Sequence, residues 1–170
     1  NLKYPEIQCS KKDPLRKNAL EFYKRLAEGL VYYAKNDLLK AAKIAQNNSE
    51  DKFVPYSVVM RWENTYESEK YLSVMVEISI SDGVNEPFKE RKTQVWERKF
   101  GTKTRFAEFF DKKDIPRLIE SYIGGENKKR FERDVFILRE DKFEFHLRNG
   151  SGYIVKSIPA SESINKNLFT

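Results

Sequence analysis

An alternating run near the middle of the chain, YLSVMVEISIS from Tyr71 to Ser81, constrains the fold more than any other segment. Its aliphatic residues recur at every second position, and polar residues fill most of the positions between them. Because successive side chains of a strand point to opposite faces, the run has one apolar face and one mostly polar face. We therefore predict a central antiparallel strand with one buried face. The aliphatic positions are Leu72, Val74, Val76, Ile78 and Ile80.

Further strands are predicted on both sides of this run. Residues 56–64 alternate in the same way, and a polar turn at residues 67–69 leads from them to the central strand. Residues 92–100 follow a turn signal at residues 81–83. Near the C-terminus, the sequence NGSG at residues 149–152 joins two alternating runs and is typical of a hairpin loop. This order indicates a three-stranded meander followed by a C-terminal hairpin.

Two helices are predicted to cover the strands. Apolar residues at helical spacing run from Pro14 to about Gln46, after Asp13 as an N-cap and with Gly29 as a candidate bend. A shorter helix spans residues 115–123, between a proline in its first turn and a glycine pair beyond its end. The predicted fold class is α+β, with an antiparallel sheet (meander plus C-terminal hairpin) covered by a long N-terminal helix and a short second helix.

The composition is that of a packed globular protein. The sequence has no obvious seam, so we predict a single domain over residues 1–170. The chain contains 32 basic and 26 acidic residues, a formal net charge of +6, and the two signs are interspersed. No run of about 20 apolar residues occurs, so no membrane span is expected. The single cysteine, Cys9, excludes an intramolecular disulfide and is interpreted as a structural or incidental thiol.

The sequence offers no recognisable catalytic arrangement. The sole histidine, His146, shares a predicted strand face with Glu144 and Arg148, and we expect that face to be solvated. One histidine and one cysteine cannot form an ordinary zinc site, and neither a nucleophile elbow nor a glycine-rich phosphate loop is present. Carboxylates such as Asp82 and Glu86 could act in acid–base catalysis, but a chain this rich in acids always offers such pairs. We predict a non-enzymatic protein without catalytic residues, metal or cofactor.

Five segments, taken together, resemble a known family. They occur in the order LKYPEI, NALEFYKRLAEGLVYYA, YLSVMVEI, WERKFGTKTRFAEFF and FILREDKFEFHL…IPASES, and they cover most of the chain. In this combination the chain resembles the extracytoplasmic domain shared by the anti-sigma-V factor RsiV and PdaC-type peptidoglycan deacetylases of Gram-positive bacteria. The resemblance implies an α+β fold outside the cell and a binding or sensing function, since one member is similar to a lysozyme receptor. In the deacetylases the chemistry belongs to a separate downstream domain.

Two loops depart from the family pattern. After the central strand, relatives usually carry a Gly-Gly-Ala-His turn, whereas this chain has SDGVNEPF. Before the final strand, relatives carry a longer acidic-aromatic loop, which NGSG replaces here. Binding residues are concentrated in loops, so the resemblance predicts the fold more directly than it predicts the ligand.

The candidate ligand-binding residues lie in these two loops and in two basic clusters. A basic surface suits anionic wall polymers such as teichoic acids, and a protein is the other candidate ligand. Lysozyme is disfavoured, because two basic proteins repel each other at long range. Nucleic-acid binding is not expected, because glutamates interrupt the clusters and no recognised motif accompanies them. The candidates are Asp82, Asn85, Glu86, Lys89, Arg91, Lys92, Lys128, Lys129, Arg130 and Tyr153.

The resulting hypothesis is a non-enzymatic extracytoplasmic binding or sensor domain, at a Gram-positive cell surface or secreted. Two alternatives stay open, namely an intracellular nucleic-acid or protein interaction module and a hydrolase that acts on the cell wall. A native gene that encodes an export signal upstream of Asn1 would exclude the first alternative. A structure without a concave site and convergent polar groups would exclude the second.

Overall fold

The computed structural model describes residues 5, 7, 12–48 and 53–164. A long N-terminal helix packs on one face of a four-stranded sheet, and a three-stranded sheet with short helical segments packs on the other face. Most of the predicted extended segment Leu2–Gln8 lies outside the described residues, as do Cys9 and the residues after Ile164.

The regular elements confirm the predicted α+β class. The α-helices are α1 (Pro14–Tyr33), α2 (Leu39–Asn48) and α3 (Ile115–Leu118). The strands are β1 (Ser57–Glu67), β2 (Tyr71–Ser81), β3 (Phe88–Glu97), β4 (Thr102–Lys103), β5 (Ile137–Leu138), β6 (Lys142–Asn149) and β7 (Gly152–Pro159). The first four strands form one antiparallel sheet in sequence order, and the last three form a second sheet.

The long helix is continuous but covers the sheet with only its first half. A π-helical turn, Ala34–Leu38, joins α1 to α2, so the irregularity lies there and not at Gly29, the candidate bend. Beyond it, α2 buries no residue, and Ile44 is 63% exposed although the apolar stripe predicts a buried position. An apolar groove separates this half of the helix from the start of β1. Within the described residues, no helix is long and apolar enough to cross a bilayer. The buried stripe of α1 is Leu15, Ala19, Tyr23 and Ala27.

The central strand has the predicted bounds but is buried on both faces near its start. Its aliphatic face packs against α1, as expected. On the opposite face Ser73 is fully buried, and its hydroxyl accepts hydrogen bonds from the Leu138 N–H at 2.9 Å and the Thr65 hydroxyl at 2.8 Å. The expectation of a single buried face is therefore wrong at this end, because the second sheet covers the face that the alternation marks as polar.

The predicted meander and hairpin are both present, but the third strand is shifted along the sequence and the hairpin belongs to a second sheet. β3 begins four residues before the predicted start, Lys92, and ends at Glu97. The hairpin of β6 and β7 pairs Asn149 with Gly152, as the NGSG sequence predicts. This hairpin joins β5 to form its own sheet, and the two sheets enclose an aromatic core. The largest buried rings of that core are Phe106, Phe109, Phe136, Phe143 and Phe145.

Candidate functional site

A cleft of about 450 Å³ lies along the edge of β3, between the two sheets. β4 pairs only with Trp96 and Glu97, so the rest of this edge has no neighbouring strand among the described residues. The segment around residues 130–135 and the hairpin of β6 and β7 form the opposite wall. The polar and aromatic side chains that line the cleft are Phe22, Glu90, Arg91, Lys92, Thr93, Gln94, Lys103, Arg130, Glu132, His146, Arg148 and Tyr153.

Arg91 is the centre of a polar network that joins the two sheets. Its Nε donates to Glu77 Oε2 at 3.0 Å, and its Nη1 lies 2.6 Å from His146 Nδ1. Its guanidinium carbon lies 4.7 Å from the centroid of the Tyr153 ring, a cation–π distance. The Tyr153 hydroxyl also accepts the Arg91 backbone N–H at 2.8 Å and donates to the Lys89 carbonyl at 3.4 Å. Three candidate residues, Lys89, Arg91 and Tyr153, therefore meet here, and these contacts are made within the protein.

The side chain of His146 is buried, contrary to the expectation of a solvated strand face. Only 5% of the side chain is exposed, because its strand face packs towards the edge of β3. A guanidinium can only donate, so Nδ1 accepts from Arg91 and Nε2 carries the proton. Nε2 then donates to Glu144 Oε1 at 2.7 Å. Both ring nitrogens are thus engaged, and the imidazole has no free nitrogen with which to contact a ligand.

Glu144 closes the network on the second sheet. Burial opposes its ionisation, but the hydrogen bond from His146 and the charges of Arg139 and Lys142 outweigh burial. The pKa of this carboxyl therefore lies below its ordinary value. Arg139 extends the connection to the first sheet through Glu63, at 2.5 Å. The network is a structural link between the layers, and its Glu144 carboxylate is ionised at neutral pH.

Three other cations of the cleft have no carboxylate partner among the described residues. They are Lys103, Arg130 and Arg148, and all three are exposed. In contrast, Lys92 is paired with Glu90 at 2.7 Å. We call Lys103, Arg130 and Arg148 the rim cations. Their charge is available to a ligand, because none of them forms a direct ion pair within the described part of the chain, although Glu132 lines the same cleft.

Two of the rim cations lie against aromatic rings. The Lys103 ammonium is 3.8 Å from the centroid of Phe22, and partial burial there lowers its pKa. The Arg148 guanidinium carbon is 4.6 Å from the centroid of Phe88. Such contacts orient a cation without neutralising it, so the charges are held in place at the cleft.

Two polar side chains of β3 have unsatisfied atoms in the cleft wall. Thr93 Oγ1 and Gln94 Oε1 are covered from solvent and have no hydrogen-bond partner within the described ranges. An unsatisfied buried polar atom costs about 1–3 kcal/mol. These two oxygens belong to residues that line the same cleft as the rim cations, and a ligand reaches them only when the side chains that cover them move.

The predicted β2–β3 loop residues form a self-contained turn away from the cleft. The Asp82 carboxylate accepts the amide of Asn85 at 2.6 Å and the N–H groups of Asn85 and Val84. These bonds, led by the side-chain bond from Asn85, lower the pKa of Asp82. Glu86 is exposed in the same loop and does not line the cleft. The hydrogen-bonding capacity of Asp82 is thus largely used within the turn.

The basic cluster at residues 128–130 is divided by the fold. Lys128 forms an ion pair with Glu120, Lys129 is exposed away from the cleft, and only Arg130 lines the cleft. The rim cations Lys103 and Arg148 were not among the candidates. The sequence does contain a pattern that could identify Arg148, because strand periodicity puts it on the face of His146. No sequence pattern identifies Lys103, since its position depends on the turn at Gly101 and the pairing of β4.

The described residues contain no group of three or more His, Cys, Asp or Glu side chains that could hold a metal ion.

Comparison with known proteins shows a similarity of fold to a solved structure. No protein-family model matches the sequence, and no curated protein matches it. A crystal structure of a DUF3298 family member from Bacteroides fragilis is similar, with a TM-score of 0.54 at 12% sequence identity. The match covers 82% of this chain and 66% of that one, so the chain spans slightly less than two thirds of the similar protein. At this identity the likeness shows a shared fold.

Proposed function

We propose that this domain binds an anionic ligand in the cleft along β3 and that it does so without catalysis. The observation that carries the proposal is the set of three rim cations without a carboxylate partner. The chain has nearly as many acidic as basic residues, and the other cations of the cleft are paired. Basic residues outnumber acidic residues in the lining of the cleft, five to two, and an excess of positive charge in a cleft attracts anionic ligands.

A binding function without chemistry suits the composition of the site. The only imidazole is held between Arg91 and Glu144, and its side chain is 5% exposed. A general base must come within hydrogen-bond reach of the proton that it removes. His146 in this arrangement cannot do so without breaking the network that links the sheets.

We further propose that the domain acts outside the cell, as a binding or sensor domain related to those of RsiV and PdaC-type deacetylases. The support is the ordered set of sequence segments that resembles those proteins, together with the α+β fold. An anionic component of the cell envelope is the class of ligand that both the location and the rim cations favour.

The test is binding of a defined polyanion to the protein and to a triple variant, Lys103→Gln, Arg130→Gln and Arg148→Gln. Lipoteichoic acid is the envelope probe, and duplex DNA and lysozyme are the comparison ligands. Each exposed ion pair contributes up to about 1 kcal/mol, so we expect binding of lipoteichoic acid to weaken roughly 10- to 100-fold. The loss should shrink as salt rises, because salt screens exposed charges.

A matched control removes the same charge elsewhere, through Lys40→Gln, Lys43→Gln and Lys112→Gln. These positions are exposed and do not line the cleft. The proposal requires the control to retain most of the affinity that the cleft variant loses. Equal losses in both variants would mean that only the net charge matters and would overturn it. Equal affinity for DNA and lipoteichoic acid at every salt concentration would contradict the preference for an envelope ligand.

A further inference from the structure

The open edge of β3 presents main-chain groups as well as charge. The Arg91 N–H bonds to Tyr153, and the Val95 carbonyl accepts the Thr104 N–H at 2.8 Å. Main-chain groups of alternate residues in an antiparallel strand point to the same side. The odd-numbered residues of β3 therefore direct their N–H and C=O groups away from β2, towards the cleft.

A short stretch of this edge has no partner among the described residues. Tyr153 occupies the edge at Arg91, and Thr104 occupies it at Val95. By the alternation of the strand, the Arg91 carbonyl and both main-chain groups of Thr93 point outward between these two points, where β4 does not pair. An unpaired strand edge of this kind is a template for the addition of another extended segment.

The cleft therefore has two kinds of unsatisfied group within one space. The outward carbonyls of Arg91 and Thr93 can accept hydrogen bonds. The unsatisfied side-chain oxygen of Gln94 belongs to a residue that lines the same cleft. The exposed rim cations can contact anions. A phosphodiester polymer supplies negative charge but no N–H donors, whereas an acidic peptide supplies both carboxylates and main-chain amides. The combination of groups consequently favours a peptide.

We infer that the ligand of the cleft is an extended acidic peptide segment, added as a short strand to the edge of β3 at Arg91–Val95. This inference rests on the proposed function and identifies its ligand class. Main-chain bonds would supply part of the affinity, and the carboxylates would contact the rim cations. Thr93 is only 5% exposed, so the added segment must displace side chains of the opposite wall before it pairs.

The test compares two probes of equal charge at low and moderate salt. One is hexa-L-glutamate with acetylated and amidated ends, and the other is the same peptide with every backbone nitrogen methylated. Methylation removes the N–H donors and adds bulk along the main chain without changing the carboxylates. A polyacrylate oligomer of about six carboxylates serves as a polyanion without any peptide groups.

We expect the unmodified peptide to bind at least tenfold more tightly than the methylated peptide and the polyacrylate. Equal binding of all three, with loss in the rim-cation triple variant, would overturn the peptide inference while the anion-binding function stands. Equal binding of all three by the wild type and the triple variant would overturn both.

Two substitutions at one position test the same contact from the side of the protein. Thr93→Pro removes the outward N–H, whereas Thr93→Ala removes the same hydroxyl and keeps the N–H. Proline is tolerated on an edge strand where its nitrogen faces away from the neighbouring strand. We expect Thr93→Pro to bind hexa-L-glutamate at least tenfold more weakly than Thr93→Ala, and equal affinities would contradict strand addition. If Thr93→Pro does not fold, the methylated peptide alone decides the question.

Discussion

Arg91 and Arg148 face the same cleft from opposite walls, yet only Arg91 has a carboxylate partner among the described residues. The Arg91 side chain is 25% exposed and is bonded to Glu77 and His146. Arg148 is exposed and lies over the ring of Phe88. A partly buried charge needs a partner to offset the loss of water, whereas an exposed charge remains hydrated. The first arrangement serves the fold, and the second leaves charge available for binding.

Because of this difference, substitutions in the network should change stability, whereas substitutions of the rim cations should change binding. Removal of a network residue leaves other buried groups without partners and should lower the free energy of unfolding. Removal of a rim cation leaves no such group behind and should change binding instead. The two sets of variants therefore test the comparison from opposite sides.

The largest expected effect is that of Arg91→Ala. The variant leaves Glu77 unpaired and removes the donor to His146 Nδ1. Because the Arg91 and Glu77 side chains are 25% and 28% exposed, we expect the free energy of unfolding to fall by about 2–3 kcal/mol, less than for a fully buried pair. Chemical denaturation monitored by far-ultraviolet circular dichroism measures this change. A loss below about 1 kcal/mol would mean that the network does not hold the sheets together.

The control for this variant is Arg91→Lys, which keeps the charge. Lysine cannot place two donors in the fixed fork that reaches Glu77 and His146 together. We expect an intermediate loss of about 1–2 kcal/mol, since part of the network must then remain unsatisfied. A variant as stable as the wild type would show that charge alone is sufficient.

Acid should weaken the network through Glu144. The pKa of this carboxyl is lower in the folded protein than its ordinary value of 4.5, so the unfolded chain binds the proton first as pH falls. The stability that ionised Glu144 contributes is therefore fully present above its unfolded-state pKa, about pH 4.5. It is lost as the pH falls through the lower pKa that Glu144 has in the folded protein. Unfolding free energies measured between neutral and acid pH should show this decline.

Glu144→Gln is the matched variant for the acid effect. The amide keeps the shape and can still accept from His146, but it does not titrate. We expect its stability to depend less steeply on pH below about 4.5, by at most about 1.4 kcal/mol per pH unit for one proton. Identical slopes in the two proteins would show that other carboxyls account for the acid effect.

Local sequence signals predict the fold well where the structure depends on neighbours along the chain. The alternation at Tyr71–Ser81 and the NGSG hairpin loop give the correct elements and bounds. The same signals cannot tell how many layers cover a strand. Ser73 looks like a solvent-facing residue in sequence, and only the arrival of Leu138 from a distant segment buries it. The exposed helix α2 is a similar case, because none of its residues is buried against the described part of the sheet.

The site is predicted less well, because it depends on contacts between segments far apart in sequence. Arg91, Lys92, Arg130 and Tyr153 were candidates and do line the cleft. Their assignment came from loops and charge clusters, which could not distinguish paired from unpaired cations. Whether a cation has an acid beside it is decided by strand register and layer packing, so the rim is visible only in three dimensions.

A smaller effect is expected for Tyr153→Phe. The substitution keeps the ring beneath Arg91 and removes the hydroxyl that bonds to the main chain of β3. The loss of one such hydrogen bond should lower the free energy of unfolding by about 1 kcal/mol. Thermal or chemical unfolding measures it. If stability does not change, the hydroxyl does not contribute to the attachment of the hairpin to β3.

The smallest effect on stability is expected for Arg148→Ala. The side chain is exposed and has only its contact with Phe88, so we expect a change within about 0.5 kcal/mol in the free energy of unfolding. The same variant should weaken binding of lipoteichoic acid about three- to fivefold at low salt, which corresponds to loss of one exposed charge contact. A large loss of stability without a change in binding would reverse the roles of the two arginines. That result would mean that the cation–ring contact supports the hairpin and that the ligand lies elsewhere.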